Sequence, residues 1–367
     1  MRRWLQVAAV TGLGAAGVFA LALGALCLTS GCSTVGYYAQ SVNGHLDLVT
    51  SARPVADWLA DPQSPPALKE RLALSQRLRD YAVSELALPD NASYRRYADL
   101  KRGAAVWNVT AAPELGLTLK TWCFPVVGCV GYRGYFDRAD AERFAAELRS
   151  PDVEVYVYGV PAYSTLGKLP FDALSDPLLN TFINYPEGEL ARLIFHELAH
   201  QVAYAPDDTV FNESFAVAVE RIGGARWLSG AQQAGPAEEY QRFDSRRNDF
   251  RSLTQKYREL LLALYKSEAP DDQKRATKAT LLAEMRAEHL KLKAERWGGF
   301  AGYDGWFSRA NNASFGVLAA YSELVPAFER LFERQGRDFN RFYTEVRRLA
   351  ALPKDQRRAA LNATAGE

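Results

Sequence analysis

Two histidines four residues apart enclose a glutamate in the run His196-Glu197-Leu198-Ala199-His200. On an α-helix, residues four apart lie one above the other, so both imidazoles can reach one ion while Glu197 is directed to a neighbouring position. That spacing binds zinc in hydrolases that use the glutamate as general base. The flanking residues favour such a helix: Pro186, Glu187 and Glu189 mark a start, Leu190 to Val202 is mostly apolar, and Pro206 marks an end. Two of only four histidines fall on that face. Burying them unpartnered would cost roughly 1 to 3 kcal/mol for each unsatisfied nitrogen, whereas a metal satisfies one nitrogen of each ring. The competing reading is a pair of hydrogen-bonded core histidines.

Catalytic zinc commonly takes three protein ligands and leaves a fourth position to water. The next helix, expected from Asp208 or Thr209 to Gly223-Gly224, carries Glu213 and Glu220. If the two helices are antiparallel across the Pro206-Asp207-Asp208 turn, a rise of about 1.5 Å per residue brings Glu213 level with His200 and Glu220 level with His196. Both glutamates are feasible ligands on that count.

His196 to Gln201, followed by Phe211-Asn212-Glu213-Ser214-Phe215-Ala216 and then Glu220, resembles the zinc aminopeptidases of the gluzincin class. Further segments, Gly131-Tyr132-Arg133-Gly134-Tyr135-Phe136, Ala162 to Gly167 and Asn311-Asn312-Ala313, resemble a bacterial family of predicted aminopeptidases that are often lipoproteins, over most of residues 32 to 350. The resemblance implies that Glu213 completes the site for one Zn2+ ion and that Glu220 is a carboxylate orienting a histidine. Only 12 residues separate His200 from Glu213, a shorter connection than in the better-known gluzincins.

With the ion held by His196, His200 and Glu213, Glu197 is expected to take a proton from the attacking water and pass it to the leaving amine of a peptide. A second donor should stabilise the oxyanion. With only His45 and His289 left over, a tyrosine fits that role, Tyr321 first and Tyr303 second. The glutamate motif with which aminopeptidase N-type enzymes hold a substrate's amino terminus does not precede His196, and Glu187 or Glu189 are its possible substitutes. The alternatives to an aminopeptidase are an endopeptidase with the same zinc chemistry, and a non-catalytic envelope lipoprotein.

The elements that must position these residues read as α+β with helix predominant: a zinc-helix pair on a small mixed sheet, with an added helical hairpin and C-terminal helices. Two helices are expected between 37 and 87, broken at Asp61-Pro62 and Ser64-Pro65-Pro66. Strands are expected at Ala104–Val109, Leu115–Trp122, Val153–Tyr158 and Ala162–Leu166. The last is a possible substrate-binding sheet edge. A helix from Asp137 to Leu148 should turn Phe144 and Leu148 inward. The charged stretch 236–297, broken near Ala269-Pro270-Asp271-Asp272, reads as a solvated hairpin, and Leu324, Phe328, Leu331 and Phe332 as a core stripe after an irregular 298–312.

In 367 residues, 44 basic and 43 acidic side chains leave a net charge of 44 − 43 = +1. That balance disfavours a nucleic-acid partner, and 48% hydrophobic residues are enough for a substantial core. Residues 1–31 read as an export signal, with Arg2 and Arg3 before an apolar run from Val7 to Leu28 that is long enough to be a retained anchor instead. Thr29-Ser30-Gly31-Cys32 resembles a lipobox, so Cys32 is expected to be acylated and to hold the protein on a bilayer. Ser33 resembles the pattern sent to the outer membrane. Cys123 and Cys129 then remain as a plausible disulfide in an oxidising periplasm. The expected segments are thus 1–31 signal, 32–100 helical, 101–230 sheet and zinc-helix core, and 231–367 C-terminal helices.

Overall fold

The computed structural model describes residues 32–124, 128–164, 175–230, 234–320 and 323–365. The signal segment and Tyr321 lie outside these described residues, and of Cys32 only the backbone is described. Two compact units are distinguished, Met1–Leu48 and Val49–Glu367. The described part of the first is most of helix α1 (Cys32–Thr50). No helix among the described residues is long and apolar enough to cross a membrane.

The second unit is mainly helical with small sheets, an α+β fold. Strand β1 (Arg53–Pro54) leads into the short helix α2 (Val55–Ala60), which sequence periodicity did not separate, and then α3 (Pro66–Ser84). Pro65 and Pro66 start α3, since a proline in the first turn costs no hydrogen bond. β1 pairs antiparallel with β2 (Arg96–Ala98), which pairs parallel with β8 (Leu178–Leu179). The main sheet is antiparallel, with β3 (Val106–Pro113) between β6 (Arg133–Tyr135) and β7 (Val153–Val160); Val106 faces Val160 and Pro113 faces Val153. A separate hairpin joins β4 (Trp122–Phe124) to β5 (Gly128–Val130), closed by the Cys123–Cys129 disulfide.

Two expected strands differ. Residues 115–121 turn back over β3, with a Gly116 to Pro113 turn and Lys120 N donating to Ala111 O, so only Trp122 of that run is in a strand. Residues 162–164 carry no strand, and 165–167 are outside the described residues. Helix α4 (Arg138–Leu148) begins where expected because the Asp137 side chain accepts from Ala139 N and Asp140 N. Its fully buried residues are Ala141 and Ala145 rather than Phe144 and Leu148. Small side chains let the helix approach β3, and Phe144 lies to one side against Tyr135 and Trp122, 5.5 and 6.0 Å between ring centres.

The helices expected to carry the candidate site are α5 (Glu187–Val202) and α6 (Thr209–Ser229). α6 does not stop at Gly223-Gly224. Those glycines are close-approach positions: a Cβ on Gly223 would lie 2.7 Å from Leu86 Cδ1 and 3.0 Å from Phe195 Cδ2. The hairpin of α7 (Ala234–Lys266) and α8 (Asp271–Glu295) follows as the charge pattern requires. A short helix α9 (Asp304–Arg309) interrupts the expected loop, and α10 (Asn312–Ala320) packs against β3, β7 and α6. α11 (Val325–Arg334), α12 (Phe339–Ala350) and α13 (Lys354–Ala365) complete the chain. Leu324, Phe328, Leu331 and Phe332 are buried as expected. Phe328 packs edge-on to Phe211 at 5.0 Å, so one face of α6 is held by the C-terminal helices while another is turned to α5.

Candidate metal centre

α5 starts at Pro186 with Glu187 and Glu189 in its first turn, where acidic groups favour the positive helix end. It ends at Ala203, whose extended backbone leads into the turn before α6. That turn is fixed by side chains. Asp208 accepts from Phe211 N at 3.1 Å and pairs with the buried Arg357 at 2.6 Å. Asn212, fully buried, donates to Ala205 O and accepts from Ala205 N, both at 2.8 Å. The antiparallel geometry expected from the short connection follows from these bonds.

The result is a convergence of three ligand atoms. His196 Nε2 lies 3.2 Å from His200 Nε2 and 3.3 Å from Glu213 Oε2, and His200 Nε2 lies 3.7 Å from the same oxygen. Ligands bonded at about 2.0 to 2.1 Å to a tetrahedral zinc lie about 3.3 Å from one another. The residues therefore fit a divalent ion. Protons alone suit the arrangement poorly, because two ring nitrogens face each other and at most one can donate into that gap. His196, Glu213 and Glu220 are 12 to 14% exposed and His200 is 8% exposed, which leaves the centre shielded but reachable.

Glu220 is not a ligand in this geometry. Its Oε2 lies 3.0 Å from His196 Nδ1, the orienting position, while its Oε1 accepts from Arg192, buried one turn before His196. Arg192 also reaches Asp244 of α7 at 3.4 Å, and Arg247 joins Asp244 at 3.0 Å to Glu189 at 2.5 Å. Burial pushes Glu220 up, but the Arg192 charge and the His196 contact prevail and hold it down at about 2. Burial likewise opposes the charged form of His196, yet its bonds to Glu213 and Glu220 raise it well above the usual histidine range. His200 is carried down to about 4 by burial, and its Nδ1 has no hydrogen-bond partner among the described residues. Glu197 is pushed up to about 7, chiefly by burial, with His196 lowering it and Glu213, Asp176 and Glu220 raising it.

A family model described as "Putative aminopeptidase" matches residues 36–361. The chain belongs to that aminopeptidase family. No curated protein and no solved structure matches it at a significant level. Within this family member, His196, His200 and Glu213 form a cluster able to hold a metal ion, with ligand atoms all within 4.8 Å of one another.

Tyr303 has aromatic partners of its own. It stacks on Phe250 at 4.4 Å and packs edge-on to Trp297 in the aromatic core of the α7–α8 hairpin. Glu187 accepts from Trp227 Nε1 at 2.8 Å and Glu189 is paired with Arg247, so both proposed amine anchors have structural partners. Sequence reasoning missed Arg192, Asp244 and the clamping role of Asn212. Arg192 had a signal: it stands four residues before His196, a lone cation on an apolar helix. Asp176, buried near Glu197 and accepting from Tyr94 N through its backbone O, had none.

Proposed function

We propose that the protein is a zinc-dependent aminopeptidase of gluzincin type that hydrolyses peptides at the bacterial cell envelope. The observation that carries the metal assignment is the spacing of His196 Nε2, His200 Nε2 and Glu213 Oε2, 3.2 to 3.7 Å apart. A zinc ion bound there supplies Lewis-acid polarisation of a peptide carbonyl and makes a water easier to deprotonate. Glu197 follows His196 on the same helix, and its raised proton affinity suits a group that takes a proton from the attacking water and returns it to the leaving amine. Glu220 orients His196, and Arg192 keeps Glu220 ionised.

The exopeptidase part of the reading rests on membership of the aminopeptidase family. Acylation of Cys32 after removal of residues 1–31 would place the catalytic unit on the periplasmic face of the outer membrane, with a peptide and a bilayer as partners and no nucleic acid. Its support is the lipobox-like Thr29-Ser30-Gly31-Cys32, together with the Cys123–Cys129 disulfide, a bond that persists in oxidising compartments.

The test is hydrolysis of peptides with free and blocked amino termini by the zinc-loaded protein, beside Glu197→Gln. Free peptides should be cleaved and blocked ones spared, and Glu197→Gln should lose roughly 100-fold or more while retaining zinc. Cleavage of blocked peptides would make the protein an endopeptidase, and equal rates for wild type and Glu197→Gln would end the enzymatic reading.

A further inference from the structure

A cavity of about 180 Å³ opens between α6, the β3–β7 sheet and α10. Thr209 lines it. That residue stands four positions before Glu213 on α6, so the cavity begins on the ligand-bearing face one helical turn away. Tyr158 of β7 forms another wall, its hydroxyl accepting from Asn108 Nδ2 at 3.4 Å. Leu119 and Val317 supply aliphatic walls.

The wall at Leu119 is fixed by two glycines. A Cβ on Gly131 would come within 2.8 Å of Leu119 Cδ1, and one on Gly316 within 2.6 Å of Leu119 Cδ2. The charged groups that line it are engaged with the backbone: Asp207 Oδ1 accepts from Cys129 N at 2.5 Å, and Lys354 Nζ donates to Asp207 O. An apolar cavity of about 150 Å³ accommodates benzene, whereas sites for whole drug-sized ligands begin at about 300 Å³. The volume therefore suits one side chain.

We infer that this cavity is a specificity pocket taking an uncharged aliphatic or aromatic side chain of a residue flanking the scissile bond, with Leu119 and Val317 setting its depth. The inference deepens the peptidase reading and rests on it. The extended backbone of the substrate would lie across the metal centre, and the pocket would bind the side chain by apolar burial, which discriminates by size and charge.

The experiment measures kcat/KM of the zinc-loaded mature protein on peptides in which the two residues flanking the cleaved bond are varied among Gly, Ala, Leu, Phe, Trp, Lys and Glu. Wild type should favour Leu or Phe over Gly, Lys and Glu at one of the two positions by about tenfold or more. Val317→Phe should shift the Leu-to-Gly ratio there about tenfold towards Gly, and Leu119→Ala should shift the Trp-to-Leu ratio towards Trp. If Val317→Phe does not fold, the opposite shift in Leu119→Ala carries the test. Ratios unchanged in the folded variants, or a wild-type preference for Lys or Glu at both positions, would overturn the pocket while leaving the peptidase intact. Absence of hydrolysis of every peptide would sink the peptidase reading and the pocket with it.

Discussion

The two histidines of α5, one turn apart, are held by different means. Around His196 the supports are charges: Glu220 at Nδ1, Arg192 behind Glu220, and then Asp244, Arg247 and Glu189. Around His200 they are neutral. Its Nδ1 has no partner among the described residues, Gln201 beside it donates to Ser93 Oγ at 3.1 Å and accepts from Asn91 at 2.6 Å, and Asn212 clamps the following turn. One ligand is thus oriented by a buried electrostatic chain that tunes its basicity, and the other by helix geometry and packing alone.

The contrast is broken most severely at Arg192. Arg192→Met removes the only guanidinium bonded to Glu220 among the described residues, and should cost about 3 to 5 kcal/mol of stability in urea denaturation, because a buried carboxylate loses its counter-charge. The neutral surroundings of His200 should respond less to comparable damage. Asn212→Ala deletes two buried hydrogen bonds and should cost about 2 to 3 kcal/mol in the same measurement. Glu220→Gln sharpens the contrast at the metal itself: zinc affinity, read by competition with a chelator, should fall by roughly 10- to 100-fold. Reducing the Cys123–Cys129 bond opens a small loop and should cost no more than about 2 kcal/mol, with a smaller effect on zinc affinity than Glu220→Gln.

The parts of this centre legible in the sequence are those fixed by local chemistry. The four-residue histidine spacing, the acidic helix start at Glu187 and Glu189, the helix beginning at Asp137 and the Leu324–Phe332 stripe each follow from the geometry of one helix. The choice between Glu213 and Glu220 did not, because both lie on the correct face of α6, and axial level alone placed each beside a different histidine. The structure separates them by reach: Glu213 meets both Nε2 atoms, and Glu220 meets Nδ1 of His196. Gly223-Gly224 was misread as a helix end because glycine serves both as a stop and as a site of close approach, and only the contacts with Leu86 and Phe195 distinguish them. The run 115–121 has strand composition but no strand partner: Gly116 turns it back, and Leu117 enters the aromatic core around Phe250 instead.

The central claim is that His196, His200 and Glu213 bind one divalent ion, and calorimetric titration of zinc into the chelator-treated protein tests it most directly. A single site per chain that is lost in Glu213→Ala, with both folded proteins retaining their helical circular dichroism, is the predicted result. Zinc binding that is absent in wild type, or equal in wild type and Glu213→Ala, would contradict it.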